Sequence, residues 1–193
     1  MSSLLDQKKP AIPEIIFVGR SNVGKSTIVG QLTGKKVRKG KRPGVTLKPN
    51  SILTKNFIVT DMPGFGFMSG VKDRKQDIVK EKIVKYIERN NNIKLGVLVL
   101  DGSSFLDIVE RWKGRDEIPL DIELYDFLSD LSIPTIIAIN KKDKLHNLDE
   151  TVDGIIQEFD LLPPWRQWLD NIAIISGKQK DIGSLKKLIY NKI

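Results

Sequence analysis

The chain has 193 residues, a formal net charge of +8 and no cysteine. The absence of cysteine excludes disulfide bonds and thiolate metal sites, and no apolar run approaches the roughly 20 residues of a membrane-spanning helix. A hydrophobic share of 40% with 29% charged residues is typical of one soluble globular domain. Residues 1–9 are polar and lack the apolar core of a secretory signal. We therefore expect residues 1–11 to form a flexible extension ahead of one domain over 12–193, in a cytoplasmic monomer without a membrane partner.

Short apolar runs alternate with amphipathic stretches along the chain. Six runs predict strands, which lie at Glu14–Val18, Ser51–Leu53, Phe57–Thr60, Leu95–Leu100, Thr135–Ile139 and Ile172–Ile175. Five stretches predict helices, which lie at Ser26–Leu32, Arg74–Arg89, Ile122–Leu131, Asp149–Phe159 and Ile182–Ile193. In the second helix we expect Ile78, Ile83 and Ile87 to form the buried stripe.

This alternation predicts a three-layer α/β fold with a six-stranded, mostly parallel sheet, because buried strands joined by helices form right-handed crossovers. Only three residues separate the second and third predicted strands. These two strands are therefore expected to form a hairpin, which makes one edge strand antiparallel. Residues that follow the parallel strands should meet at one edge of the sheet, where open α/β sheets bind their ligands.

The most specific motif follows the first predicted strand and has the form G-x-x-x-x-G-K-[ST]. Its glycines allow backbone N–H groups to converge on a phosphate, and the next helix adds the positive end of its dipole. Lys25 is expected to reach the β- and γ-phosphates, and the Ser26 hydroxyl is expected to bind Mg²⁺. The residues of this phosphate loop that should contact a nucleotide are Gly19, Arg20, Ser21, Asn22, Val23, Gly24, Lys25 and Ser26.

A second motif of the form D-x-x-G follows the third predicted strand. The carboxylate of Asp61 is expected to hold Mg²⁺ through a water molecule, and the N–H of Gly64 is expected to contact the γ-phosphate. Both features would make the segment sensitive to the presence of that phosphate. The residues assigned to the nucleotide here are Asp61, Met62, Pro63 and Gly64.

A threonine hydroxyl that binds Mg²⁺ should lie between the first helix and Asp61. Thr46 is the best candidate, within the segment Gly44-Val45-Thr46. Thr54 and Thr60 are alternatives, but they fall in or beside predicted strands, where a side chain cannot move with nucleotide state. The expected catalytic residues are therefore Lys25, Thr46 and Gly64.

The motif that selects the base follows the fifth predicted strand and contains Asn140, Lys141, Lys142 and Asp143. Asp143 can accept hydrogen bonds from guanine N1–H and from the exocyclic amine, and Asn140 can serve the O6 side. Adenine lacks both donors in that arrangement, and an unpaired buried carboxylate weakens binding. The stem of Lys141 can lie along the base. This pattern nearly excludes an ATP-using enzyme such as a small kinase.

A fourth segment, Ser176-Gly177-Lys178, follows the last predicted strand. It resembles the S-A-K segment by which small GTPases contact guanine O6 through a backbone N–H. Glycine stands here in place of the usual alanine. Because the contact comes from the backbone, we expect the glycine to be tolerated.

Taken together, three segments resemble the EngB (YihA/YsxC) family of small GTPases, in the Era/septin-like branch of the translation-factor-related GTPases. They are the phosphate loop, the segment Pro43–Thr46 and the glycine–aromatic run Pro63–Phe67. The resemblance covers nearly the whole domain and implies a P-loop GTPase (G domain) that binds GTP or GDP with Mg²⁺. The charged segment Ser103–Leu120 is longer than expected for bacterial members, which indicates an archaeal-type member.

A strongly basic run lies between the first predicted helix and Thr46. Its six basic residues are Lys35, Lys36, Arg38, Lys39, Lys41 and Arg42. Such a run favours contact with RNA phosphates, and the lack of interleaved aromatic residues favours backbone contact over base stacking. The alternative is a solvated loop without a partner. The resemblance to ribosome-assembly factors implies that the partner is ribosomal RNA or the large ribosomal subunit.

The hydrolytic step is expected to be slow. Ras-like GTPases place a glutamine after D-x-x-G to orient the attacking water, whereas this chain has Phe65. A phenyl ring cannot make those hydrogen bonds, so a partner or K⁺ is expected to accelerate hydrolysis. Related GTPases with a hydrophobic residue here and a loop asparagine resemble potassium-dependent enzymes, and Asn22 matches that asparagine. Asn22 is also explained by its tolerance of the turn geometry.

Two functions are consistent with these observations. The first is a GTP-controlled switch with slow Mg²⁺-dependent hydrolysis that acts in assembly of the large ribosomal subunit. The alternative is a GTP-binding regulatory or structural protein required for cell division and septation. The basic run favours the first function, and the absence of a coiled-coil extension weakens the second.

Overall fold

The computed structural model describes residues 12–37, 48–64 and 73–193. These residues form one six-stranded sheet with helices on both faces. The strands are β1 Glu14–Val18, β2 Asn50–Leu53, β3 Ile58–Asp61, β4 Ile93–Asp101, β5 Thr135–Asn140 and β6 Ile172–Ile174. The α-helices are α1 Lys25–Thr33, α2 Asp73–Arg89, α3 Phe105–Lys113, α4 Leu120–Asp130, α5 Leu148–Gln157 and α6 Gly183–Lys192.

The strand order is β2-β3-β1-β4-β5-β6. β2 pairs antiparallel with β3, and every other neighbouring pair in this sheet is parallel. The mostly parallel sheet with one antiparallel edge strand is therefore confirmed. Because β2 is the edge strand, the hairpin that joins it to β3 lies at one side of the molecule.

The side chains of β1 show how the three layers form. Ile15 and Phe17 pack in the core beneath α1 and α6, and Ile16 and Val18 pack in the core beneath α2 to α5. All four side chains are fully buried, as successive residues of a strand point to opposite faces. The sheet therefore has a helical layer on each side, which confirms the predicted three-layer architecture.

The described residues contain six α-helices where the sequence predicted five. The additional helix is α3, which lies within the charged segment Ser103–Leu120. Its buried residues Phe105 and Val109 are followed by the half-buried Trp112. Their spacing of four and three residues is helical, and this signal could have identified α3 in the sequence.

The predicted stripe of α2 is correct at two of its three positions. Ile83 and Ile87 are buried, whereas Ile78 is 43% exposed. The five-residue step from Ile78 to Ile83 rotates the side chain by about 140° around the helix axis. Ile78 therefore lies off the face that packs against the sheet. Among the described helices, none is both long enough and apolar enough to span a membrane.

The parallel strands give the sheet two distinct ends. The motif residues that follow β1, β3, β5 and β6 all come to the C-terminal edge of the sheet, as predicted. α1 begins at this edge and runs to the opposite one, where the Lys35 Nζ donates to the Leu53 carbonyl over 3.1 Å. α6 likewise ends there, and the Lys192 Nζ donates to Asn171 Oδ1 just before β6.

Candidate nucleotide-binding site

The phosphate loop connects β1 to α1 through a backbone that requires glycine at two positions. Gly19 has φ +132°, and a Cβ placed on it would lie 2.4 Å from the Val99 carbonyl oxygen. Gly24 has φ +106°, and a Cβ there would lie 2.4 Å from Asn140 Nδ2. These approaches leave no space for any other residue. Asn22 adopts φ 67°, a left-handed conformation that asparagine tolerates.

Lys25 lies inside the curl of this loop. Its Nζ donates to the carbonyl oxygens of Gly19 at 2.8 Å and Arg20 at 2.7 Å. Burial lowers the pKa of Lys25 to about 8, and the nearby carboxylates of Asp61 and Asp121 oppose that change. The ammonium group is therefore mostly charged at neutral pH, and a bound anion would strengthen its charged form.

Ser26 and Asp61 form the part of the site suited to a divalent cation. Ser26 Oγ donates to Asp61 Oδ2 over 2.5 Å. Burial raises the pKa of Asp61, against the effects of Ser26 and Lys25. The second carboxylate oxygen, Oδ1, is buried without a hydrogen-bond partner among the described residues. A hydroxyl and a carboxylate are oxygen ligands of the kind that Mg²⁺ prefers, so these residues fit the ion.

Gly64 brings the D-x-x-G segment against the phosphate loop. A Cβ on Gly64 would lie 2.7 Å from the Ser21 Cα, and Ser21 Oγ donates to the Gly64 carbonyl over 3.5 Å. Met62 and Pro63, which lie between Asp61 and Gly64, are buried. The Met62 side chain packs in the core under α2, so only its backbone is available to a nucleotide.

Asn140 links the segments of the site through both ends of its amide. Its Nδ2 donates to the Val23 carbonyl in the phosphate loop over 2.7 Å, and its Oδ1 accepts the backbone N–H of Gly177 over 2.9 Å. The side chain is only 4% exposed. The predicted contact of Asn140 with guanine O6 stays a prediction. In the structure, the Asn140 side chain joins the phosphate loop to the loop that follows β6.

Asp143 is oriented by the last of the four motifs. Ser176 Oγ donates to Asp143 Oδ1 over 2.6 Å, and the Lys178 Nζ lies 3.9 Å from Oδ2. The Ser176 hydrogen bond is the largest cause that lowers the pKa of Asp143. The carboxylate is therefore ionised and held in place, as acceptance of two donors from a base requires.

The two lysines between Asn140 and Asp143 have different surroundings. Lys141 adopts φ 68° and forms an ion pair with Asp101 at the end of β4. Lys142 forms an exposed ion pair with Asp181 at 2.9 Å. Lys141 is thereby fixed beside the phosphate loop, whereas Lys142 points toward the surface.

Gly177 is held by a residue that no sequence motif marked. Gln31 in α1 donates from Nε2 to the Gly177 carbonyl over 2.6 Å. A Cβ added to Gly177 would have its nearest neighbour, Thr27 Cγ2, at 3.5 Å. That distance is ordinary van der Waals contact, so the site accommodates either the glycine or the alanine of the related S-A-K segment.

The segment that contains α3 packs against the outer side of the phosphate loop. The Arg20 guanidinium lies 5.7 Å from the ring centre of Trp112 and 3.8 Å from Asp121 Oδ2. A cavity of about 100 Å³ is lined by Arg20 and Asp121 together with Asp101 and Phe105. Asp121 is 2% exposed, and burial raises its pKa to about 6 against the effects of Arg20 and Lys25. Asp121 is not among the site residues that the sequence predicts.

Some predicted residues lie outside the described ranges. They are residues 1–11, Gly44, Val45, Thr46 and Phe65, together with Arg38, Lys39, Lys41 and Arg42 of the basic run. The two alternatives to Thr46 are engaged elsewhere: Thr60 donates to Glu14 inside the fold, and Thr54 donates to the Phe57 carbonyl in the hairpin turn.

Comparison with known proteins agrees with this geometry. A family model described as "50S ribosome-binding GTPase" matches residues 14–141. A "Probable GTP-binding protein EngB" from the archaeon Methanosarcina barkeri is 55% identical over 183 residues, which cover 93% of this chain and 88% of the relative. The chain belongs to the EngB family.

Solved structures support the same assignment. A crystal structure of a probable GTP-binding protein EngB has 48% sequence identity and a TM-score of 0.83, with 92% of this chain and 97% of that chain covered. An Era variant from Aquifex aeolicus bound to GDP·AlF4⁻ has 25% identity and a TM-score of 0.66, with 93% and 56% covered. The EngB-family chain is therefore a GTP-binding protein of the P-loop GTPase class, and its archaeal relatives confirm the expected type.

We expect the buried Asp121 to make the stability of this EngB-family protein depend on pH. Its pKa of about 6 in the folded state lies above the ordinary value of 3.8. The contribution of Asp121 to the free energy of unfolding is therefore fully present below pH 4, where the carboxyl is neutral, and is lost as the carboxyl ionises while pH rises through 6. The difference corresponds to roughly 3 kcal/mol. We expect Asp121→Asn to raise the free energy of unfolding by up to that amount at pH 8 and to change it little at pH 4, as measured by urea denaturation.

Asp116→Asn is the matched control, because Asp116 is exposed and its φ of 57° suits asparagine. It should change stability by less than about 0.5 kcal/mol at both pH values. A loss of stability in Asp121→Asn that is larger at pH 8 than at pH 4 would show instead that Arg20 requires the carboxylate charge.

Proposed function

We propose that this EngB-family protein is a GTP-controlled switch with slow Mg²⁺-dependent hydrolysis that acts in assembly of the large ribosomal subunit. The two hydrogen bonds of the Asn140 side chain support the nucleotide-binding part of this proposal. They join the phosphate loop to the segment Ser176–Lys178, whose Ser176 bonds to Asp143. One ligand with phosphates at one end and a base at the other can therefore contact both. The oriented, ionised Asp143 favours guanine as that base.

The phosphate end of the ligand would be bound by Lys25 and by the backbone of the phosphate loop. Lys25 would transfer its hydrogen bonds from the loop carbonyls to the β- and γ-phosphates, and the loop N–H groups would converge on the same charge. Ser26 would bind Mg²⁺ directly and Asp61 through water, with Thr46 proposed as a further ligand. The ion would neutralise charge that develops on the phosphates during hydrolysis.

The base end would be recognised by Asp143, with Lys141 along the ring and the Ser176–Lys178 segment near O6. We expect Asp143→Asn to lower affinity for GTP by roughly 100-fold or more and to favour xanthosine triphosphate. The reason is that the amide offers a donor where guanine also has one, whereas xanthine offers an oxygen acceptor. Titration with fluorescent GTP and xanthosine analogues measures the change.

Lys142→Ala is a matched control for this experiment, because Lys142 is adjacent but pairs with Asp181 at the surface. Its affinity for GTP should change by less than about threefold. Unchanged GTP affinity in Asp143→Asn would show that the base is read by other residues.

Slow hydrolysis is proposed because Phe65 stands where Ras-like GTPases have glutamine. Acceleration by K⁺ is proposed from the family resemblance and from Asn22, whose left-handed backbone also has a purely structural explanation. We expect GTP turnover to be faster in K⁺ than in Na⁺ buffer at equal ionic strength, as measured by phosphate release. Equal rates would remove the potassium hypothesis and leave a protein partner as the proposed activator.

The ribosomal partner is proposed from the description of the matching family model, "50S ribosome-binding GTPase", and from the basic run that begins at Lys35. Lys35 and Lys36 are exposed, as a phosphate contact requires. The run would contact ribosomal RNA in a cytoplasmic complex, and salt would weaken that contact by restoring counterions to the phosphates.

Co-sedimentation with purified ribosomal subunits tests this assignment. We expect binding to the large subunit that is stronger with a non-hydrolysable GTP analogue than with GDP and that falls steeply across a salt series. The small subunit is the matched control for nonspecific attraction to RNA. Absence of binding in both nucleotide states would contradict the ribosomal role and favour the alternative function in cell division and septation.

A further inference from the structure

Acidic residues are absent from two long stretches of the chain. None of the 24 aspartates and glutamates lies between Ile15 and Thr60 or between Ile182 and Ile193. The described parts of these stretches include α1, β2 and α6. α1 and α6 form one helical layer, and β2 is the edge strand beside it. The described residues of these stretches therefore present lysines without interspersed carboxylates.

These elements meet at the N-terminal edge of the sheet, opposite the nucleotide-binding site. At the end of α1, the Lys35 Nζ bonds to the Leu53 carbonyl of β2. At the end of α6, the Tyr190 ring meets Phe57 beside the hairpin turn, with a ring-centre distance of 5.7 Å. We call the exposed residues here the distal basic surface, which consists of Lys35, Lys36, Lys55, Lys187 and Tyr190.

Tyr190 gives this surface an aromatic platform. Its side chain is 60% exposed, and the edge-on contact with Phe57 fixes its orientation. Lys186 lies four residues before Tyr190 and Lys187 lies three residues before it. Both lysines are therefore on the same side of α6 as the ring. An exposed ring beside lysines can stack with an unpaired base while the lysines contact neighbouring phosphates.

Within the described residues, the positive charge of this surface is not neutralised by ion pairs. Among the ion pairs of the described residues, none includes a lysine of the distal basic surface. Glu14 is near but buried, and it accepts hydrogen bonds from Tyr86 and Asn90. Of the other acidic residues at this end, Glu88 lies in α2, in the opposite helical layer, and Asp170 precedes Asn171, which accepts a hydrogen bond from Lys192.

We propose that the distal basic surface binds RNA independently of nucleotide state, with phosphates on the lysines and an unpaired base on Tyr190. This inference rests on the proposed ribosomal function, since it supplies a second contact with the same class of partner. The nine residues of α1 separate the surface from the phosphate loop by about 14 Å. The residues that would sense the γ-phosphate, Gly64 and Asp61, lie at the other end of the sheet.

A double charge reversal tests the surface without altering the nucleotide site. The probe is a fluorescent RNA hairpin with an unpaired loop, and its binding is measured by anisotropy across a salt series. We expect Lys55→Glu combined with Lys187→Glu to weaken binding about tenfold or more at 0.1 M salt, by the same factor with GDP and with a GTP analogue. The salt dependence should fall by about two ion equivalents, because two phosphate contacts are lost.

The matched control reverses Lys82 and Arg115, which are exposed on α2 and after α3. It changes net charge equally and should weaken binding by less than about threefold. Equal weakening in both double variants would overturn the proposal in favour of general charge attraction. Weakening only with the GTP analogue would overturn its nucleotide independence.

The aromatic contact is tested separately. Tyr190→Ala should weaken binding to the hairpin with an unpaired loop but not to a fully paired RNA duplex, and Tyr190→Phe should retain both. Equal binding of Tyr190→Ala and the unaltered protein to the hairpin would overturn the stacking role. GTP turnover should be unchanged in every variant, which also confirms folding.

Failure of this proposal is distinguishable from failure of the ribosomal function. Loss of RNA binding in the charge-reversed protein without loss of large-subunit co-sedimentation would leave the ribosomal function standing and would show that another surface supports it. Binding of the unaltered protein to vesicles with anionic lipid, but not to the RNA probe, would overturn the choice of RNA as partner.

Discussion

The arrangement of the site depends on the amide of Asn140. Its two ends are bonded to the phosphate loop at Val23 and to the Gly177 N–H, while its own backbone ends β5. Both polar atoms are buried, so loss of either partner would leave an unsatisfied group at a cost of about 1–3 kcal/mol. The close approach also fixes Gly24, where a side chain would collide with the same amide. One residue thus links the phosphate loop, the segment that follows β6 and the sheet.

Three buried charges lie close together behind the phosphate loop. Lys25 is influenced by both Asp61 and Asp121, and burial moves the pKa of each away from its ordinary value toward the neutral form. Burial of charges opposes folding unless partners compensate. The loop carbonyls compensate Lys25, and Ser26 compensates one oxygen of Asp61. The other oxygen of Asp61 has no hydrogen-bond partner among the described residues, and a cation bound there would offset the electrostatic cost of its burial.

The sequence was sufficient for the strands, because each is a short apolar run that follows or precedes a motif with its own chemistry. It was also sufficient to bring the motifs to one edge of the sheet. α3 was not predicted, because charged residues mask the spacing of Phe105 and Val109. The positions of Gln31 and Asp121 could not be predicted, since their partners are distant in sequence and depend on how helices pack. Ile78 shows the same limit: approximate spacing does not decide which residue faces the core.

The direction of α1 separates the far edge of the sheet from the nucleotide entrance, which bears on nucleotide exchange by a protein bound to a macromolecule. This helix begins at the phosphate loop and ends beside Leu53 at the opposite edge of the sheet. A macromolecule that rests against the far edge would not cover the entrance through which a nucleotide arrives and departs. The protein could then exchange its nucleotide while it remained attached to such a partner. Its dwell time on the partner and the lifetime of its bound nucleotide would be set by separate barriers.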